Sequence, residues 1–211
     1  MTDKEYKELS IKEFTRAAKV YETDDAGVYR MCRKDYPDVL EELEKEEFTD
    51  LLDCGCGTAP MLTLLQKKYP EKHYTGIDLT PEMIEVAKAK KMPGVKLVVG
   101  DCENLPFEEN SFDVVICCQS FHHYPNVQRF FDSVFRVLRP GGRLILRDMT
   151  AKTAAECLLL SLSMLSHLHG LINHILISTD SGSMMIKWLL SCIMRIPLRI
   201  YISASGRDMS P

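Results

Sequence analysis

Short apolar runs alternate with stretches of helical periodicity along most of this 211-residue chain. That alternation predicts an α/β fold, a doubly wound, mostly parallel sheet with helices on both faces. Two further observations support it. The strand candidates "VKLVVGD" and "FDVVICC" are continuous apolar runs, as parallel strands buried on both faces require. The first candidate strand, "TDLLDC", leads into "GCGTAPMLTLLQKKY", a glycine-bearing turn followed by a helix. At the carboxyl end of a parallel sheet such a turn lets a ligand approach the backbone.

The elements follow in order. Met61, Leu62, Leu64 and Leu65 give the first core helix its spacing. "KHYTGIDL" reads as the second strand. "TPEMIEVAKAKK" announces a helix with Thr80 as N-cap, Pro81 at its first position, and Glu82 and Glu85 near its positive end. "VKLVVGD" and "FDVVICC" are strands three and four. "VQRFFDSVFRVLRPGG" is an amphipathic helix ended by Pro140, Gly141 and Gly142, and "RLILRDM" supplies a fifth strand. One domain accounts for the whole length: a helical lid over residues 1–47, a core over 48–150 and an atypical helical segment over 151–211. Residues 157–179 carry no Asp, Glu, Lys or Arg, a length that could cross a bilayer. Its histidines, Asn173, Gly170 and serines favour instead a buried helix covering the sheet. After it only residues 198–203 read as a strand, so the C-terminal strands are expected to be incomplete.

Composition narrows the function. A hydrophobic content of 45% suits a substantial core, and a net charge of −4 offers no basic footprint, so no nucleic-acid partner is expected. "MTDKEYKELSIKEF" has no apolar leader, which predicts a cytoplasmic protein. The eight cysteines, at 32, 54, 56, 102, 117, 118, 157 and 192, would then be reduced thiols. No C-x-x-C pair completes a zinc site, and the adjacent Cys117 and Cys118 would point to opposite faces of a strand. Small buried thiols, with no metal, are the expectation. Cys54 and Cys56 are expected in a loop at a helix N-terminus, a setting that favours the thiolate.

The turn itself carries the chemistry. Gly55 and Gly57 follow Asp53, but Pro60 stands where the dinucleotide pattern G-x-G-x-x-G needs its third glycine. Asp78 lies at the end of the second strand, where a carboxylate can hold both ribose hydroxyls of a nucleoside. Nicotinamide and other nucleoside cofactors share these features. Other stretches separate them. "LDCGCGT", "GIDLTPEMIEVAK", "GDCENLPFEENSFDVVICCQSFHHYPN" and "RVLRPGGRLIL" together resemble the class I S-adenosylmethionine-dependent methyltransferases, a Rossmann-like family, and in particular their small-molecule branch. The resemblance covers about residues 48–150. It implies that Asp53, Gly55 and Gly57 lie under the methionine part of S-adenosyl-L-methionine, that Asp78 holds the ribose, and that Asp101 and the Cys102 backbone face the adenine. Leu79 and Gln119 join this cofactor-binding set. Ala59 departs from the family's third glycine, which is tolerable if the helix has already begun. Asp53 has a plainer alternative, bonding local backbone N–H groups in the turn.

Methyl transfer by in-line displacement needs an aligned nucleophile and little water. The loop "CQSFHHYPN" should lie across from "CGCGT", so Gln119, Ser120, His122, His123 and Tyr124 are placed to meet substrate. His122 and His123 are the candidate catalytic residues, since either imidazole can take a proton near neutral pH. The loop lacks the "[DN]PP[YF]" pattern of nucleobase methyltransferases, and a small-molecule acceptor is expected. Tyr21, Tyr29 and Arg30 are further candidates on the lid. Two other functions stay open: a nicotinamide oxidoreductase, and a catalytically impaired cofactor-binding protein with an incomplete C-terminus that self-associates through that segment.

Overall fold

The computed structural model describes residues 2–23, 28–149, 172–179 and 198–205. Five strands form the expected core: β1 (Asp50–Cys54), β2 (His73–Asp78), β3 (Val95–Val99), β4 (Phe112–Cys118) and β5 (Leu138–Met149). The helices are α1 (Asp3–Ala17), α2 (Val28–Cys32), α3 (Tyr36–Leu43), α4 (Pro60–Lys68), α5 (Pro81–Ala89) and α6 (Val127–Val137). The sheet also holds β6 (Ile172–Thr179) and β7 (Leu198–Ser205), in the order β3-β2-β1-β4-β5-β7-β6. Every recorded pairing is parallel.

Continuous apolar runs work here because neighbouring residues face opposite layers. On β4, Val115 and Cys117 belong to one core with Phe130, Phe131, Val134 and Val137 of α6. Val114 and Ile116 belong to the other, with Val39 and Leu43 of α3, Leu62 and Leu65 of α4 and Ile84 of α5. Leu51 and Leu52 on β1, and Leu144 and Ile145 on β5, divide in the same way. A polar residue inside either run would lose its hydration to one core or the other.

The sheet's order reverses between β1 and β4, because the chain builds outward to β3 and then returns to the other side of β1. Loops leaving those two strands therefore face one another across a crevice. At the opposite end, Arg139 holds the strand starts together, its Nη1 lying 2.7 Å from Asp50 Oδ2 and 2.8 Å from Asp113 Oδ1. Helix α6 stops at Val137, and Leu138 is already extended. Pro140, Gly141 and Gly142 thus form a bulge within β5, where the register jumps from Phe112↔Leu138 to Val114↔Arg143, rather than the helix terminator expected from the sequence.

The C-terminal expectation also changes. Residues 172–179, read as part of a buried helix, are the outer strand β6, and the single expected strand at 198–203 extends to Ser205 as β7. Strand β7 pairs with β5 and β6 pairs with β7, so a second C-terminal strand exists. The remainder of the expected helical segment lies outside the described residues. Among the described residues no helix is long and apolar enough to cross a membrane.

Among the described residues β6 is the last strand of the sheet, and its sequence "INHILIST" has no charge and no proline to protect an edge. Self-association through it is the expected outcome, seen as concentration-dependent mass in light scattering and suppressed by Ile175→Lys. A wild-type chain that stays monomeric at all concentrations would mean that another part of the chain covers the edge.

Candidate active site

The turn after β1 is docked onto the end of β2. The backbone N–H groups of Gly55 and Cys56 both donate to the Ile77 carbonyl, at 2.9 and 3.0 Å. Gly57 N–H donates to Asp78 Oδ2 and Thr80 N–H to Asp78 Oδ1, each at 2.8 Å. Gly55 needs to be glycine on two counts. Its φ is +74°, and a Cβ there would stand 1.8 Å from Ser120 Oγ on the facing loop. The loops after β1 and β4 are in contact at this point.

Ala59 corrects the sequence reading. It precedes the helix rather than beginning it, with φ 61° and ψ 44° in the left-handed region, and it is fully buried. An L-residue there costs about 1–2 kcal/mol, a strain that the family's glycine would not carry. Gln119, on the loop after β4, is also left-handed, at φ 53°. Its backbone N–H donates to the Arg147 carbonyl at 2.7 Å, and its side-chain amide donates to Asp35. Asp35 in turn pairs with Arg147 at 3.0 Å, so the residue that precedes α3, strand β5 and the loop after β4 share one buried polar cluster.

Most of the expected residues line one cleft. Gly55, Gly57, Asp78, Leu79, Asp101, Cys102, Gln119 and His123 surround it, joined by Ser120 and Tyr124. Asp53 lies beside it, near the end of β1, 3% exposed. Its carboxylate takes no hydrogen bond or ion pair among the described residues, because the turn's donors go to Ile77 and Asp78. The alternative in which Asp53 bonds the turn's own N–H groups therefore falls. Burial first, and the neighbouring Asp78 second, push its pKa up to about 8. Burial also raises Asp78, against the lowering effect of the Thr80 and Gly57 N–H groups.

Asp101 caps a short turn, accepting the Glu103 N–H on Oδ1 at 2.9 Å. Its Oδ2 accepts from Lys7 Nζ at 2.8 Å, and the same ammonium reaches Glu103 Oε2 at 2.5 Å. Lys7 belongs to α1, which lies over the cleft together with Ser10 and Phe14. Glu22, beyond α1, fastens the lid's far end to Thr58 and to Lys90. Tyr21 also lines the cleft and lies 5.9 Å, ring to ring, from Tyr29, whereas Arg30 is exposed. Lys7, Ser10, Phe14, Met83 and Glu103 were not foreseen. Their only sequence signal is membership of the lid or of a neighbouring motif.

The two histidines part company. His123 lines the cleft, edge-on to Phe14 at 5.0 Å, and burial first and His122 second lower its pKa to about 4. His122 is outside the lining, and its Nδ1 lies 2.6 Å from Asp148 Oδ1. The cysteine expectation fails at the turn. Cys54 is fully buried and Cys56 is 5% exposed, and burial pushes both thiols up instead of favouring thiolates. Of the described cysteines all are free, and Cys32, Cys54, Cys56, Cys102 and Cys117 are buried as small core residues. A second hollow, lined by Phe48, Lys72 and Arg139 among others, sits at the opposite ends of the strands, away from the edge where open parallel sheets bind ligands.

Residues 52–146 match the family model described as a methyltransferase domain. The chain is 43% identical over 100 residues to a phthiotriol/phenolphthiotriol dimycocerosates methyltransferase of Mycobacterium leprae, covering 47% of this chain and 37% of that protein. It is 32% identical over 170 residues to a probable phthiotriol/phenolphthiotriol dimycocerosates methyltransferase 2 of Mycobacterium ulcerans, covering 76% of this chain and 66% of that one. Among solved structures it is similar to the PH0226 protein of Pyrococcus horikoshii, with 29% identity, 64% of each chain covered and a TM-score of 0.52. The matched stretch thus spans well under half of the first relative's length. The nicotinamide alternative gives way to this match, which joins a parallel sheet, a glycine turn docked on β2 and acids at the ends of β2 and β3: residues 52–146 are a methyltransferase domain similar to the class I S-adenosylmethionine-dependent methyltransferases.

Proposed function

We propose that this protein binds S-adenosylmethionine in the cleft and transfers its methyl group to a small-molecule acceptor by in-line displacement. The observation that carries the reading is the Asp53 carboxylate, buried beside the glycine turn with no partner among the described residues. A buried acid without donors fits a ligand that brings positive charge. The cofactor supplies an electrophilic methyl group on a sulfonium, next to a cationic amino group.

The chain's own residues then have simple tasks. Gly55 and Gly57 keep the backbone bare beneath the methionine part. Asp53 offers negative charge there. Asp78 has each carboxylate oxygen engaged by one backbone N–H, leaving lone pairs for two ribose hydroxyls. Asp101 offers Oδ2 to the adenine amino group in exchange for Lys7. Leu79, Cys102 and Gln119 complete the walls, and α1 excludes water. The two relatives' names specify phthiotriol and phenolphthiotriol compounds, and we extend to this chain an acceptor that bears a hydroxyl. The buried reduced thiols fit a cytoplasmic setting.

Titration calorimetry with S-adenosylmethionine, S-adenosylhomocysteine and NAD tests the cofactor, and turnover on a panel of hydroxylated metabolites and lipids tests the acceptor. Binding of NAD in preference to the other two would refute the reading. Asp78→Ala should weaken S-adenosylmethionine at least about tenfold, since hydrogen bonds to a charged group are worth about 1.5–3 kcal/mol each. It should also lower the melting temperature, because Gly57 and Thr80 lose their acceptor. An unchanged dissociation constant would remove Asp78 from the ribose.

Asp53 makes binding depend on pH. With its folded pKa near 8, against about 3.9 unfolded, the group takes up a proton on folding. Its contribution to stability is full below about pH 4 and is lost as pH rises toward 8. A cationic ligand favours the ionised form, so binding below pH 8 releases a proton and tightens by up to about tenfold per pH unit between 6 and 8. Calorimetry in two buffers of different ionisation enthalpy counts that proton. Asp53→Asn should abolish the dependence, and a flat wild-type affinity over this range would show that Asp53 does not face the cation.

A further inference from the structure

Asp148, near the carboxyl end of β5, is 5% exposed and makes two contacts with one residue of the loop after β4. Its Oδ2 accepts the His122 backbone N–H at 3.1 Å, and its Oδ1 lies 2.6 Å from His122 Nδ1. The first contact fixes the short turn Phe121–His123 and the second fixes the ring. A carboxylate only accepts, so Nδ1 carries the proton and the lone pair of a neutral imidazole is left on Nε2. The His122 side chain is 32% exposed while that of Asp148 is 7%. The ring can therefore be reached by a ligand that never meets the carboxylate.

From this geometry we infer that Asp148 is a positioning residue that makes His122, rather than His123, the proton acceptor for a hydroxyl-bearing methyl acceptor. The inference rests on the methyl-transfer reading above. His123 is the nearer ring to the cofactor residues, but it is wedged between Phe14 at 5.0 Å and His122 at 4.0 Å. No carboxylate is hydrogen-bonded to it among the described residues. Packing of that kind shapes a wall, whereas the hydrogen-bonded pair of His122 and Asp148 has the arrangement that orients a base and stabilises the imidazolium it becomes. Tyr6 of α1 donates to the His122 carbonyl at 3.3 Å, so the lid and the base share one anchor. In the step itself the acceptor's O–H proton passes to His122 Nε2 as its oxygen bonds the methyl carbon. The S–C bonding pair stays on sulfur, leaving a neutral thioether, and the imidazolium later returns its proton to solvent.

The test uses the full chain with 15N-labelled histidine, saturated with S-adenosylhomocysteine and also without it, with the His122 signals assigned through His122→Gln. Long-range 1H–15N spectra of the wild type should show neutral His122 protonated on Nδ1 and bare at Nε2. Asp148→Asn should move population to the opposite tautomer. With the acceptor that the panel identifies, Asp148→Asn should lower kcat about 100-fold or more, the usual scale of a base's contribution, while KM changes less than threefold. If Asp148→Asn does not fold, the wild-type spectrum still decides, because a proton on Nε2 overturns the inference. Equal kcat in a folded Asp148→Asn protein overturns it as well. Absence of S-adenosylhomocysteine binding would instead count against the cofactor reading, with the tautomer of the free protein still reporting on the pair.

Discussion

One carbonyl sets the geometry of the whole site. Ile77 accepts from both Gly55 and Cys56, and this pair of bonds folds the chain sharply back from β1 onto the end of β2. The sharpness requires the positive φ that Gly55 adopts, and it brings the first loop so close to Ser120 that no side chain fits between. It also decides which acid receives donors. Gly57 is carried over Asp78 and bonds it, while Asp53, two residues before Gly55, is left without any donor among the described residues. The two carboxylates end up close enough for one to raise the pKa of the other. The proposed methyl-transfer site thus rests first on backbone hydrogen bonds.

The core was legible because its central strands had to satisfy two apolar layers, and continuous runs such as that of β4 leave little ambiguity; β3, read in the same way, is instead an edge strand with Lys96 and Val99 exposed. The glycine turn, Asp78 and Asp101 were legible because their positions at strand ends are fixed by the same runs. Residues 172–179 were not. "INHILIST" sits inside a longer uncharged stretch, so its β-branched content competed with a helix of the same apolarity, and pairing with β7 decided the outcome. The cysteines misled for a related reason: proximity to a helix N-terminus says nothing of burial. Cys56 packs against β2 so tightly that a Cβ on Gly76 would come within 2.8 Å of its sulfur.

Contacts across long sequence separations were invisible for a different reason. Lys7 meets Asp101 across 94 residues and His122 meets Asp148 across 26, and neither lysine nor aspartate carries a local pattern that names its partner. Sequence could place two histidines on the loop that faces the turn after β1, but it could not rank them. Under the proposed reading the ranking comes from what surrounds each ring: aromatic edges for His123, a buried carboxylate for His122.

The unequal treatment of the two acids has a consequence for turnover under the proposed reading. Asp78, satisfied by backbone donors, holds neutral hydroxyls that methyl transfer does not change, so it binds cofactor and product alike. Asp53 responds to charge, and methyl transfer turns the ligand's sulfonium into an uncharged thioether. The attraction gained on binding is therefore partly withdrawn once the methyl group leaves, and protonation again offsets the cost of keeping Asp53 buried. Interactions that differ between the two states of a ligand can favour exchange, whereas those that do not merely hold it. Leaving one carboxylate without backbone donors, at some cost to the ligand-free fold, gives the site that difference.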